Sequence, residues 1–208
     1  MITLTPSQHD ILKEIVNIGV GRAAGGLNQI VSRHIVLNVP EVILTHLKSL
    51  DEYEDLYPEG PISTVIQAFS GQYYGKAALA FAPEDSDTLV KAITGGSVEN
   101  MDMQTLRREA ISEIGNITIN SVVGSISNLL QSPLDFFPPK YIEDTVPSIL
   151  EKESNPNKGG ILLLIDVQFI ISELQISGYL LIFFEMGDIN VLLWLIDRQL
   201  QNGETEGL

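Results

Sequence analysis

Two short strings with the same spacing place a glutamate three positions before an asparagine. Glu14 precedes Asn17, and Glu113 precedes Asn116, 99 positions further along the chain. A carboxylate brings negative charge, whereas a carboxamide stays neutral at all relevant pH and both donates and accepts hydrogen bonds. Such a pair suits binding and orientation rather than covalent catalysis, provided that both side chains point away from the core.

The first pair belongs to a polar stripe on a predicted helix. At about 100° per residue, Asp10, Glu14, Asn17 and Gly21 fall within an arc of about 60° on a helical wheel. The stripe should therefore point outward, where a partner surface could reach it. The neighbouring arc holds the apolar residues that should face the core, namely Ile11, Leu12, Ile15, Ile18 and Ala23.

The second pair lies on a stripe of the same kind, with Glu109 in the position of Asp10. Taken singly, a glutamate and an asparagine on a helix surface are ordinary solvated residues. Asparagine, however, costs roughly half a kcal/mol relative to alanine inside a helix, and both copies keep it. Common ancestry of two repeats could also preserve the pair without use, so both interpretations stay open at this point.

Four glycines lie inside the first predicted helix, at positions 19, 21, 25 and 26. Each costs up to about 1 kcal/mol relative to alanine, so some contact should compensate. Close helix packing and an open contact surface could each explain Gly25 and Gly26. A flat surface beside Asn17, which the backbone of a partner could approach, would explain Gly21.

The chain divides into two related halves. The string Glu-Ile-Val-Asn-Ile that starts at Glu14 recurs as Glu-Ile-Gly-Asn-Ile from Glu113, and the same offset carries Pro40 onto Pro139. Internal repeats of this kind indicate a common structural unit. We predict one domain over residues 1–208, with repeats at about 5–100 and 104–200 and a flexible tail at 201–208.

Each half predicts a long helix, three strands and a closing helix. Short turns join antiparallel strands, so the predicted fold is α/β in the broad sense, of α+β type. It is a pseudo-twofold single domain with long helices on a shared, mainly antiparallel sheet. Charged and proline-containing clusters predict loops at 46–60 and 143–158. The predicted helices are 9–31, 84–94, 103–130 and 188–200, and the predicted strands are 35–45, 62–70, 74–82, 134–142, 161–171 and 174–184.

Composition and charge exclude several classes of function. The chain has 27 acidic and 12 basic residues and a formal net charge of −15, which repels nucleic-acid phosphates and anionic lipid headgroups. It has no cysteine, and its three histidines lack the spacing of a metal site, so we expect no cofactor or metal in this chain. No secretory signal or membrane-spanning stretch is visible, which predicts a cytoplasmic protein.

The spacing resembles the doubled signature of the CheC family, a group that includes CheX and FliY. The resemblance covers almost the whole chain, from about Thr5 to Leu200. The residues that carry it are Asp10, Glu14, Asn17 and Pro40 in the first half, and Glu113, Asn116 and Pro139 in the second. The two prolines are interpreted as residues that begin or edge a strand.

This resemblance implies a phosphatase that acts on the aspartyl phosphate of a CheY-like response regulator in chemotaxis. Glu14 and Glu113 would form a salt bridge with a lysine of the receiver, and Asn17 and Asn116 would orient the attacking water. The receiver would supply Mg²⁺, and CheD is a further implied partner. Glu109 departs from the Asp or Ser that opens the family signature, so the first site should be the stronger.

A non-catalytic module is the alternative function. The chain would then be an adaptor that binds a phosphorylated receiver or a CheD-like partner without turning anything over. Binding that leaves the lifetime of the phosphate unchanged would favour this alternative. In either case two halves already give one chain a twofold arrangement, so we expect a monomer.

Overall fold

Helices and groups of strands follow one another along the chain in an order close to the predicted one. The computed structural model describes residues 4–30, 34–39, 41–46, 59–94, 102–153, 160–171 and 174–205. Within these ranges the elements are, in chain order, α1 (Pro6–Ile30), β1 (Ile35–Asn38), β2 (Val42–His46), β3 (Pro61–Gly71), β4 (Gly75–Phe81), α2 (Pro83–Thr94), α3 (Met103–Leu129), β5 (Leu134–Phe136), β6 (Lys140–Thr145), α4 (Val146–Glu153), β7 (Gly160–Ile171), β8 (Leu174–Glu185) and α5 (Met186–Thr205).

The eight described strands form one sheet in which every pair is antiparallel. Its order is β1-β7-β8-β4-β3-β5, with β2 also paired to β7 and β6 also paired to β3. The hairpins β3–β4 and β7–β8 meet at the centre, where Leu79 lies opposite Leu180. Exchanging the strands of the two halves leaves this order unchanged. The predicted class, helices on an antiparallel sheet in a single domain, is confirmed.

Four helices pack on one face of the sheet. Alternate residues of β7, from Ile161 to Ile171, are buried in the same cluster as apolar residues of α1, α2, α3 and α5. Aromatic rings fill part of this core, and Phe69 contacts Tyr73 and Phe184 with ring centroids 6.2 and 6.1 Å apart. Burial of these inner faces holds α1 and α3 on the sheet and leaves their outer faces to the solvent.

A short helix covers part of the opposite face, where the sequence predicted a loop. α4 buries Val146, Ile149 and Leu150 against residues of β7 that point away from the other helices, among them Leu162 and Leu164. The predicted loop at 143–158 is therefore wrong in its first part. The remainder of that loop, and residues 47–58 of the other predicted loop, lie outside the described residues.

Local residues explain why α4 forms. The Thr145 hydroxyl accepts a hydrogen bond from the N–H of Ser148 at 3.3 Å, and Pro147 occupies the first turn, where its missing N–H does no harm. At the other end, Lys76 Nζ on β4 donates to Glu153 Oε2 at 2.8 Å. The helix is short, and its apolar residues are buried only because an apolar face of the sheet lies beneath them.

Two predicted strands are each divided into two. The predicted strand at 134–142 becomes β5 and β6, separated by residues 137–139, and the one at 35–45 becomes β1 and β2. Two prolines stand in the break of the second half, and a proline has no N–H to donate to a ladder. Pro139 directly precedes β6, as predicted, whereas Pro40 lies outside the described residues.

Both long helices begin at identifiable caps. Thr5 and Gln8 form a reciprocal capping box, with side chain to N–H distances of 3.2 and 2.9 Å. Asp102 caps α3 by accepting hydrogen bonds from the hydroxyl and N–H of Thr105 and the N–H of Gln104. These bonds lower the pKa of the Asp102 carboxyl.

The closing helices begin near their predicted positions, but α5 is longer than predicted. It continues to Thr205, through most of the tail predicted to be flexible. No proline interrupts residues 188–205, and the leucine, glutamine and arginine residues there favour a helix. Within the part of the chain that the structure describes, no helix combines enough length with enough hydropathy to cross a membrane.

Candidate functional site

α1 turns a polar stripe toward the solvent. Leu12 and Ile15 are buried in the core, whereas Asp10, Glu14 and Asn17 are exposed, as the helical wheel predicts. The Glu14 carboxylate and the Asn17 carboxamide lie one turn apart on the same side of the helix. Another molecule can reach both groups together.

Ile18 departs from the predicted pattern. It is 39% exposed rather than buried, because it lies at the edge of the groove between α1 and α3. Together with Arg22, Ser125 and Leu129 it lines a cavity of about 220 Å³ in that groove. Arg22 Nη1 donates to Ser125 Oγ at 3.1 Å. The surface next to Asn17 therefore contains an apolar side chain and an anchored cation.

α1 and α3 pack against each other through small residues. A Cβ added to Gly19 would lie 2.6 Å from Val122 Cα, and one added to Gly26 would lie 3.0 Å from Ile117 Cγ2. As the residue number rises on α1, the contact moves back along α3, so the two helices are antiparallel. Gly19 in particular can only be glycine at this separation.

The antiparallel packing separates the two predicted pairs. Asn116 neighbours Ile117 and so lies near the Gly26 end of the contact, nine residues beyond Asn17 on α1. At 1.5 Å per residue this is roughly 13 Å along the helix axis. The two pairs therefore form two separate sites rather than one composite site.

The second pair is less accessible than the first. Glu109 and Glu113 are exposed, but Asn116 is half-buried. Asn120 Nδ2, one turn further along α3, donates a hydrogen bond to Asn116 Oδ1 at 2.9 Å. The acceptor oxygen of Asn116 is therefore engaged within its own helix.

The glycines beside the first pair leave open space. Gly21 and Gly25 are exposed, and no atom lies within 4 Å of a Cβ added to either of them. An open contact surface is thus the better explanation for Gly25, whereas Gly26 is explained by packing. A bare backbone next to Asn17 is suited to the close approach of a partner, as predicted for Gly21.

Three differences between the sites were missed by the sequence reasoning, although the repeat itself contains the signal. At the offset of 99, Gly21 corresponds to Asn120, which brings the extra amide to the second site. The other two differences concern charge: Lys13 and Arg22 of α1 correspond to Ser112 and Ser121 of α3. Only the first Glu–Asn pair has cations on both sides along its helix.

The sequence is similar to that of a curated chemotaxis protein. It is 25% identical over 132 residues to the CheY-P phosphatase CheC of Bacillus subtilis (strain 168), which covers 61% of this chain and 62% of that protein. The match thus spans less than two thirds of the length of that relative. No family model matches the chain.

Several solved structures share the fold. FliY from Thermotoga maritima has a TM-score of 0.72 and 23% identity, over 95% of this chain and 100% of that one. A chain of the FliG–FliM complex from H. pylori has a TM-score of 0.64 and 12% identity, over 91% and 99%. A chain of the CheX–CheY–BeF3–Mg²⁺ complex from Borrelia burgdorferi has a TM-score of 0.52 and 15% identity, over 82% and 98%. Together with the sequence match, these structures confirm the resemblance to the CheC, CheX and FliY group.

Proposed function

We propose that this protein is a phosphatase for the aspartyl phosphate of a CheY-like receiver domain. Glu14 docks on a lysine of the receiver, and Asn17 orients the attacking water; Glu113 and Asn116 have the same roles on α3. The observation that carries the proposal is the exposed Glu14–Asn17 pair beside the open Gly21. The similarity to a CheY-P phosphatase and the fold shared with a chain of a CheX–CheY complex support it.

The chemistry needs little from this chain beyond position. An acyl phosphate is already a reactive bond, and phosphoryl transfer depends mostly on alignment and on stabilisation of charge. A carboxamide can accept a hydrogen bond from water and donate one to a phosphoryl oxygen, without bringing negative charge to the site. Asn17 meets these requirements with no covalent enzyme intermediate.

The receiver provides the metal ion in this proposal. Among the residues that the structure describes, no group of three or more histidine and acidic side chains could hold a metal ion. Mg²⁺ bound at the phosphorylated aspartate of the receiver would neutralise charge that develops in the transition state. The phosphatase then contributes the water-positioning amide, and the active site is completed only when both proteins meet.

Removal of both carboxamides tests the proposal. We expect the double variant Asn17→Ala with Asn116→Ala to fold normally and to lose stimulated release of phosphate from a phosphorylated receiver. Gln104→Ala is a matched control, because Gln104 is an exposed amide on α3, roughly 18 Å along the helix from Asn116 and farther still from Asn17. A double variant that still releases phosphate at the wild-type rate would refute the proposed function.

A non-catalytic adaptor is the second candidate function. It is favoured by the fold shared with a chain of the FliG–FliM complex, in which two proteins assemble. In that case the chain would bind a phosphorylated receiver or a CheD-like partner stoichiometrically. The same phosphate-release measurement separates the candidates, because an adaptor would bind the receiver and leave the decay of its phosphate unchanged.

A further inference from the structure

We propose that Asn120 closes the second Glu–Asn site, so that one chain engages one phosphorylated receiver, on α1. The inference rests on the proposed function, which it deepens by assigning unequal roles to the two sites. Asn120 acts here as a positioning residue, because its effect on the reaction passes through Asn116. Three observations support this assignment.

The first observation is the hydrogen bond between two side chains of α3. Asn120 Nδ2 donates to Asn116 Oδ1 at 2.9 Å, and Asn116 is half-buried. The oxygen of the carboxamide is the atom that would accept a hydrogen bond from the attacking water. The second lone pair of Oδ1 stays free, but the bond holds the side chain against the next turn of the helix. Asn116 must give up this bond to extend toward a phosphoryl group.

The second observation concerns the equivalent position on α1, where the residue has no side chain. Gly21 occupies it, with no atom within 4 Å of an added Cβ. Nothing one turn beyond Asn17 can therefore hold its carboxamide to the helix. The backbone of a receiver can also approach Gly21 more closely than it can approach Asn120.

Stability does not explain the presence of Asn120. Asparagine is a poor residue inside a helix. Asn120 Oδ1 is buried and has no hydrogen-bond partner among the described residues, a state that is unfavourable for folding. The bond to Asn116 is the polar contact that the described structure gives to this side chain.

The third observation is the charge around each pair. A phosphorylated receiver presents an acidic site, and this chain has a net charge of −15, so docking depends on local cations. Lys13 and Arg22 accompany the first pair. Ser112 and Ser121 stand in the same positions on α3, where the exposed cation that precedes Glu113 is Arg108, stacked over Tyr141. Both the access and the charge therefore favour α1.

The test removes Asn120 in a chain whose first site is already disabled. Asn17→Ala should retain little activity, and addition of Asn120→Ala should raise the phosphate-release rate at least about tenfold by freeing Asn116. The gain should appear in kcat/KM, since an Asn116 released from Asn120 both admits the receiver and orients the water. Addition of Asn116→Ala to this variant should abolish the gain. No gain from Asn120→Ala, or a gain that survives loss of Asn116, would overturn the inference.

The reciprocal substitution provides a matched control. In a chain that carries Asn116→Ala, Gly21→Asn should lower the rate at least about tenfold, because it installs at the first site the amide that restrains the second. Gly21→Ala in the same chain should lower it much less, since it adds no hydrogen-bonding group. Equal rates for the Asn and Ala variants would contradict the assigned role of the amide.

The number of receivers bound provides a readout independent of turnover. A CheY-like receiver loaded with beryllofluoride and Mg²⁺, titrated into the wild-type protein in a calorimeter, should bind one per chain. Two per chain would overturn the inference. The proposed function and this inference can fail independently. If Asn17→Ala with Asn116→Ala keeps the wild-type rate, the proposed function is wrong. If that double variant is inactive but Asn120→Ala has no effect, only this inference is wrong.

Discussion

An exposed, neutral amide is the central feature at the scale of single residues, because the proposed function places it beside the reacting phosphate. Asn17 is exposed on a helix that is otherwise well suited to bury its inner face, and it sits one turn after an exposed glutamate. An aspartate at this position would be similar in size and would still accept a hydrogen bond from water. It would also place a negative charge against the phosphoryl group, where charges of the same sign repel strongly in a site with little water.

Asn17→Asp therefore tests whether the neutrality of the amide matters. In a chain that carries Asn116→Ala, so that only the first site remains, we expect Asn17→Asp to lower kcat at least about 100-fold, as expected for loss of positioning and added repulsion. Steady-state release of phosphate at saturating labelled receiver measures kcat. An Asn17→Asp variant that worked as well as its parent would show that positioning of water by hydrogen-bond acceptance alone is sufficient.

At the scale of elements, the packing of α1 on α3 fixes where the two asparagines point. Gly19 is a point of close approach, with Val122 of α3 directly against it. Gly25 lies on the same helix but faces open space. The two glycines are matched in helix context and differ in contact, which allows the contribution of helix packing to be separated from helix propensity.

We predict opposite effects of alanine at these two positions. Gly19→Ala should lower the free energy of unfolding by about 1–3 kcal/mol, because the added methyl group would overlap the backbone of α3. Gly25→Ala should raise it by up to about 1 kcal/mol through better helix propensity. Urea unfolding followed by circular dichroism compares the two. Stabilisation by both substitutions would contradict the close packing of the helices.

The cations of α1 are the second feature at this scale. Arg22 is exposed, and its guanidinium group is anchored by Ser125 of α3 at 3.1 Å. Because the molecule as a whole is strongly acidic, the attraction of an acidic receiver site depends on such local positive charge. In the proposed function, the helix that presents the Glu–Asn pair would therefore also provide part of the charge for docking.

Arg22→Glu should therefore weaken docking more than it affects the chemical step. We expect the KM for the phosphorylated receiver to rise about tenfold at low salt with a much smaller change in kcat, and the difference from the wild type to shrink as salt is added. Arg198→Glu is the control, because Arg198 is an exposed arginine of α5 that stacks over Trp194 at 5.9 Å. An equal rise in KM for both variants would indicate a general charge effect rather than a local one.

At the scale of the whole molecule, the sheet is covered on both faces. α1, α2, α3 and α5 bury one face, and α4 buries part of the other.

Asp144 at the start of α4 accepts hydrogen bonds from Lys152 Nζ, the Ser148 hydroxyl and the N–H of Thr145, at 2.6, 2.9 and 2.8 Å. These contacts hold the pKa of Asp144 at about 2.

The lowered pKa predicts a pH dependence of stability with a definite sign. Ionised Asp144 stabilises the fold above its unfolded-state pKa of about 3.9, and this contribution is lost as the pH falls through about 2. Asp144→Asn should therefore lower the urea midpoint at pH 7, and the difference from the wild type should shrink to less than about half near pH 2. Glu151→Gln, an exposed acid of the same helix, should show neither effect. A difference for Asp144→Asn that did not depend on pH would contradict the ion pair.

Local periodicity explains how much of this molecule could be predicted from its sequence. A helix buries one stripe and a hairpin alternates its faces, so the outward direction of Glu14, Asn17 and Glu113 follows from spacing alone. The long helices, the hairpins and the antiparallel sheet were predicted for the same reason. The division of each edge strand in two, and α4, were not predicted, since a proline shows that a ladder is interrupted but not whether the strand resumes, and a short helix under a sheet has a weak local signal.

Only the tertiary structure decided how the packing of α1 on α3 changes the accessibility of their side chains. The wheel placed Ile18 in the core, but the groove between α1 and α3 leaves it 39% exposed. Likewise, the sequence presented two similar Glu–Asn pairs, and the side-chain contacts made them different: Asn116 is tied to Asn120, and Gly21 leaves the surface next to Asn17 open. A linear pattern specifies which side of a helix faces outward, whereas accessibility depends on neighbours that only packing brings into contact.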